Sequence, residues 1–219
     1  RATSFHLDHG HGLDCYNVGP SLGCGTPAVM LGDSIVMPYC YKDYKILDNG
    51  PLEFTLDLTY PTVMIDGQNI TEHRTISLAK GSYFNRMTVW YDGFAKPMDI
   101  AGGVVVHTGN KADLTLGKNF IAYNDPTDSP KRHNFQIYVA TIFPEDNVKT
   151  RFVADPWHRK QGIYGNAVGV RHEVKSGERF TYWFGASWCQ SGTADSDFWL
   201  MQINRFEKDL NQPIKTSVE

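Results

Sequence analysis

Short stretches in which apolar and polar side chains alternate recur along most of the chain. This period of two constrains the fold more than any other feature. In residues 52–60, Phe54, Leu56 and Leu58 share one side while Thr55, Asp57 and Thr59 share the other. In residues 71–78, Thr71, His73, Thr75 and Ser77 stand opposite Glu72, Arg74, Ile76 and Leu78. Strand-sized runs rich in β-branched and aromatic residues also cover 34–41, 83–91, 102–107, 114–116, 119–123, 135–142, 162–173 and 178–186. Turn signals separate them, among them Asp48-Asn-Gly-Pro51, Asp66-Gly67 and Ser176-Gly177. The short loop from Glu173 to Glu178 reads as a hairpin turn. Strands at this spacing predict a mostly β fold, an antiparallel sandwich or barrel. One short C-terminal helix is expected, capped within Asp195-Ser-Asp197, with Trp199, Ile203 and Phe206 spaced four and three apart. No repeat or linker interrupts the pattern, so residues 1–219 read as a single β-sandwich domain.

Composition narrows the function. The formal net charge is −3, where a nucleic-acid binder normally shows a basic excess. No run of 18 apolar residues exists, so no helical membrane span is expected. No serine-hydrolase elbow, phosphate-binding loop or dinucleotide fingerprint is present. The four cysteines, Cys15, Cys24, Cys40 and Cys189, fit no zinc spacing. They read either as buried thiols or as disulfide partners, with Cys15 and Cys24 the most local pair.

Two clusters could carry chemistry. His6, Asp8, His9, His11 and Asp14 fall within nine positions, interleaved with Gly10 and Gly12. Imidazoles and carboxylates so close could hold a divalent metal ion, for which His6, Asp8, His9 and His11 are the candidate ligands. The same histidines could move protons near neutral pH. The second cluster is Tyr39-Cys-Tyr-Lys-Asp-Tyr44. Tyrosine rings can stack on the C–H faces of sugars while their hydroxyls form hydrogen bonds. A scattered set includes Arg74, Arg86, His107, Arg171 and Trp188. Each of these taken alone is more often structural than catalytic.

The run from His9 to Gly23, His-Gly-His-Gly-Leu-Asp-Cys-Tyr-Asn-Val-Gly-Pro-Ser-Leu-Gly, resembles a motif of an uncharacterised bacterial family. So does the run from Met37 to Leu52. That family resembles those encoded in polysaccharide-utilisation loci. Thr181-Tyr-Trp-Phe-Gly-Ala-Ser-Trp188 is similar to the closing strands of the galactose-mutarotase-like β-supersandwich. The resemblance implies an antiparallel β-supersandwich corresponding to the C-terminal portion of a longer protein. It also implies a carbohydrate-facing role in the periplasm or outside the cell. The partner would be an oligo- or polysaccharide, with the missing N-terminal portion as a further partner.

These residue types suit a polysaccharide lyase acting on a uronic-acid-containing glycan by β-elimination. Arg74 or Arg86 would neutralise the carboxylate, assisted by Lys42, Arg171 and Trp188 in binding. His9, His11 or His107 would take the C5 proton, and Tyr39 or Tyr41 would protonate the leaving oxygen. Two alternatives stay open. One is a glycoside hydrolase drawing a carboxylate pair from Asp8, Asp14, Asp43 and Glu72. The other is a non-catalytic carbohydrate-binding module. All of them expect the N-terminal histidines and the tyrosine cluster to line one groove.

Overall fold

A computed structural model describes residues 4–38, 40–107, 113–127 and 136–212. Among the described residues, fourteen strands form two antiparallel sheets, and one α-helix follows them. The smaller sheet has the order β12 (Val148–Ala154), β13 (Gly165–Val174), β8 (Met98–Val106), β1 (Cys24–Leu31), β2 (Ser34–Val36). The larger sheet runs β3 (Asp43–Asn49), β4 (Glu53–Thr59), β6 (Gln68–Ala79), β7 (Phe84–Asp92), β14 (Phe180–Trp188), β11 (Ile137–Ile142), β10 (Phe120–Asp125), β9 (Leu114–Leu116). Strand β5 (Val63–Ile65) pairs with β6 as its ninth member.

Alternation places the core. Along β7, Met87, Val89 and Tyr91 turn inward, and on β14 Phe180 and Tyr182 join them. Ile100, Val104 and Val106 of β8 meet this layer from the smaller sheet. The two sheets differ in side-chain size where they touch. Gly102 and Gly169 lie against the rings of Tyr182 and Phe143, leaving no room for a Cβ. The Tyr182 hydroxyl crosses the interface and donates to the carbonyl of Gly25 at 2.6 Å. The main contacts between sheets run from β1, β8 and β13 to β10, β11 and β14. The β3–β4 side of the larger sheet therefore projects past the smaller one.

Helix α1 (Ser196–Asn211) lies on the outer face of the larger sheet. Asp195 caps it by accepting from the Phe198 amide at 2.8 Å. Trp199 and Ile203 are buried against Phe84, Tyr138, Ala140 and Ile142, with Phe206 packed beside them. Each buried side chain of this size contributes about 2 kcal/mol of transfer free energy. The expected spacing of four and three is the stripe that docks.

Several expectations need correction. The run 34–41 is not one strand: β2 stops at Val36, two residues before Pro38, which has no amide to donate. The Glu173–Glu178 loop is not a hairpin. It carries the chain from β13 in one sheet to β14 in the other, with the Gly177 amide bonded to the Tyr91 carbonyl at 2.8 Å. Strands β1, β3, β5 and β12 escaped the reading. Gly25 and Pro27 mask β1, whose register shifts between Cys24 and Pro27. By contrast, Asp66-Gly67 does close a hairpin, both residues adopting positive φ between Ile65 and Gln68. The four cysteines form no disulfide. Cys15 is buried, and Cys24 donates to the Gly185 carbonyl at 3.3 Å.

Candidate functional site

Away from α1, which covers Phe84 and meets Trp183, the described residues leave the outer face of the β3–β4–β6–β7–β14 half of the larger sheet open, and register assembles polar side chains there in three rows. The first row is Asp43, Thr59, His73, Trp90, with Arg179 reaching in from just before β14. The second is Lys45, Asp57, Thr75, Thr88, Thr181. The third is Thr55, Ser77, Arg86, Trp183. All project to one side because paired residues in antiparallel strands share a face.

The first row has the most chemistry. The His73 and Trp90 rings stack with centroids 5.1 Å apart and planes 9° from parallel. The Arg179 guanidinium lies 3.9 Å from the centre of the same indole. His73 Nε2 is 3.2 Å from an Asp92 carboxylate oxygen, and its Nδ1 is 3.4 Å from the Thr59 hydroxyl. In the second row Thr75 donates to Asp57 at 2.6 Å, and the hydroxyls of Thr88 and Thr181 are 2.9 Å apart. In the third, Thr55 and Ser77 bond at 2.9 Å and Arg86 donates to Ser77 at 3.2 Å. The face thus presents two exposed arginines, an imidazole paired with a carboxylate, and preoriented hydroxyls. A groove of about 340 Å³ between the β6–β7 turn and α1 borders it, lined in part by Lys80, Tyr83, Arg205 and Asp209.

A second ordered histidine sits elsewhere. His107 follows β8, with Nδ1 hydrogen-bonded to the buried carboxylate of Asp125. Its amide donates to the Tyr123 hydroxyl at 3.0 Å, and Tyr16 meets its ring edge-on at 5.7 Å. A carboxylate on Nδ1 fixes ring orientation as in general-base histidines. The His107 side chain is only 12% exposed.

The N-terminal histidines His6 and His9 turn to the backbone of their own loop. His6 Nδ1 bonds the Asp14 carbonyl at 2.8 Å, and His9 Nε2 bonds the Ser4 carbonyl at 3.2 Å. The Asp8 carboxylate accepts from the Gly10 and Gly12 amides. Hydrogen bonds from those amides, Gly10 first, hold its pKa below the usual carboxylate value. His11 is exposed beside them. Among the described residues no three His, Cys, Asp or Glu side chains are arranged to hold a metal, which corrects the His6, Asp8, His9, His11 ligand set.

The common groove is also corrected. The N-terminal segment is anchored by Tyr16 beside His107 and Asp125, in register with Ile137 and then Trp188 at the C-terminal end of β14. The tyrosine cluster leads into Asp43, in register with Thr59, His73 and Trp90 at the opposite end of β14. Tyr39 lies outside the described residues. Tyr41 is half-exposed and meets Tyr44 edge-on at 6.2 Å. Lys42 is exposed, its amide bonded to the Thr59 carbonyl at 2.7 Å.

The arginines divide. Arg86 stands exposed on the open face, opposite Ser77. Arg74 does not: it is buried, bonded to Glu72 and stacked 4.3 Å over the Tyr60 ring. The same burial removes Glu72 from the carboxylate candidates. Burial raises the Glu72 pKa, with Arg74 opposing. Arg171 is held between Glu145 and Glu178 and donates to the Arg179 carbonyl. Trp188 closes β14, half-buried and remote from the three rows. Arg179, Asp57 and Asp92 were missed, because their place on the open face comes from cross-strand register.

Residues 1–216 match a family described as "Domain of unknown function (DUF4861)". A relative described as "Uncharacterized protein P7", from Formosa agariphila, is 25% identical over 219 residues, covering 98% of this chain and 52% of that protein. The chain thus spans about half the length of the curated relative it matches. No helix among the described residues is long and apolar enough to cross a membrane.

Proposed function

The chain belongs to the DUF4861 family, and from that premise we propose that the open face of its larger sheet binds an acidic glycan that the protein cleaves by β-elimination. The row of His73, Trp90 and Arg179 carries this reading. Arg179 and Arg86 can each grip a uronate carboxylate through a planar two-donor fork. His73, backed by Asp92, is the proton carrier within the same row. The hydroxyls of Thr59, Thr75 and Thr88 suit sugar hydroxyls, which both donate and accept. The resemblance to families of polysaccharide-utilisation loci and to the galactose-mutarotase-like supersandwich supports the choice of substrate. In this reading the protein works in the periplasm or outside the cell.

A second reading is a glycan-binding module without turnover. It is favoured by how many polar groups on the face are already bonded to one another. Incubation with uronate-containing polysaccharides separates the two readings. Elimination produces an unsaturated sugar that absorbs in the ultraviolet, and His73→Ala abolishes that signal while binding persists. Binding without any absorbing product would leave the module. Reducing ends without the absorbing product would indicate hydrolysis. No binding to any acidic glycan would reject both proposed readings.

A further inference from the structure

The inner side of the same projecting wall is apolar, and toward its outer edge the described residues leave it uncovered. Tyr44 pairs with Leu58, Ile46 with Leu56, and Phe54 with Leu78 across β3, β4 and β6. These residues share the side that deeper in the sheet carries the core, and Leu58 is already buried, yet Tyr44 is 65% exposed, Ile46 50% and Leu78 43%. The cause is a mismatch of layers: nine strands on one side, five on the other. Among the described residues the smaller sheet ends at β2, which pairs with β1 alone. A strand added to the free edge of β2 would extend the smaller sheet toward this wall. An apolar sheet face and an open neighbouring edge are the two features that a covering layer of strands satisfies together.

We infer that this wall and the β2 edge are the docking surface for the remainder of a longer polypeptide, whose strands continue the smaller sheet. The length of the Formosa relative argues for that occupant over a second copy, since about half of that protein lies beyond the matched region. The inference is independent of the glycan reading, because it concerns the opposite side of the sheet.

The test is hydroxyl-radical footprinting of Tyr44, Ile46, Phe54 and Leu78 in two forms, the 219-residue chain alone and the full-length product of its gene. Labelling is expected to fall several-fold in the full-length protein, and the 219-residue chain is expected to be a monomer by light scattering. Ile46→Lys should leave the isolated chain folded, since that side chain is solvated there, and should restore labelling in the full-length protein. Equal labelling of the two forms overturns the inference. So does a dimer of the isolated chain that protects the same residues, a full-length Ile46→Lys protein that stays protected, or a gene that ends with these residues.

Discussion

The imidazole of His73 and the indole of Trp90 lie nearly parallel, 9° apart, although the two residues come from adjacent strands. Arg179, just before β14 on the other side of β7, contacts the same indole. Trp90 is therefore a spacer that fixes an imidazole and a guanidinium in one line. Trp90→Ala would release both. Each aromatic or cation–π contact of this kind contributes about 1 kcal/mol. The expected result is a roughly tenfold weaker affinity for an acidic oligosaccharide by titration calorimetry, from about 1.4 kcal/mol lost. Because both contacts are also lost from the free protein, the melting temperature should fall by a few degrees without loss of the fold. Unchanged affinity would remove the stack from the proposed site.

Much of this face was legible before its position was. The alternation of 71–78 already separated His73 and Thr75 from Glu72 and Arg74, and the structure keeps that division. What alternation cannot say is which side is buried. Arg74 reads as a surface residue by type, yet its side faces the core because Ile70 and Ile76 share it. Trp90, Arg179 and Asp57 meet His73 and Thr75 through register between strands that are distant in sequence. The N-terminal cluster misled for a related reason. Closely spaced histidines and glycines suggest convergence on a ligand, but the loop satisfies its side chains with its own carbonyls and amides.

The Glu72–Arg74 pair makes its own prediction. Both side chains are less than 10% exposed, so removing one leaves a buried charge without its partner. Glu72→Ala is expected to destabilise by about 3–5 kcal/mol in urea unfolding. The double variant Glu72→Leu, Arg74→Met should recover most of that loss, because apolar replacement of both ions avoids their desolvation. If the double variant were as unstable as the single one, the pair's cost would lie in packing rather than charge.

Helix α1 depends on one cap. Asp195 is extended in backbone and accepts the Phe198 amide, satisfying a donor that has no partner within the helix. Asp195→Ala should cost about 1 kcal/mol, and Asp195→Ser should recover most of it. Amide exchange in the first turn of α1 would report the loss locally. A fall in stability with no change in that turn would place the role of Asp195 elsewhere.

Alkaline pH should unfold the sandwich through groups in its core. Burial pushes the Cys24 thiol from its ordinary 9.0 up to about 12. Burial likewise raises the phenols of Tyr16, Tyr91 and Tyr182 well above 10.0. A group whose folded pKa is raised binds its proton more tightly in the folded state. Its stabilising contribution is full below the unfolded value and is lost as pH climbs toward the folded one. The loss therefore begins near the ordinary values of 9.0 for the thiol and 10.0 for the phenols. Above these values the melting temperature should drop steeply, and the tyrosinate absorbance of the buried rings should appear with unfolding rather than before it. At pH 8 the buried Cys24 stays a thiol, so iodoacetamide should modify exposed Cys40 and spare Cys24 until the protein is denatured. Rapid modification of Cys24 in the native protein at pH 8 would contradict its placement between the sheets.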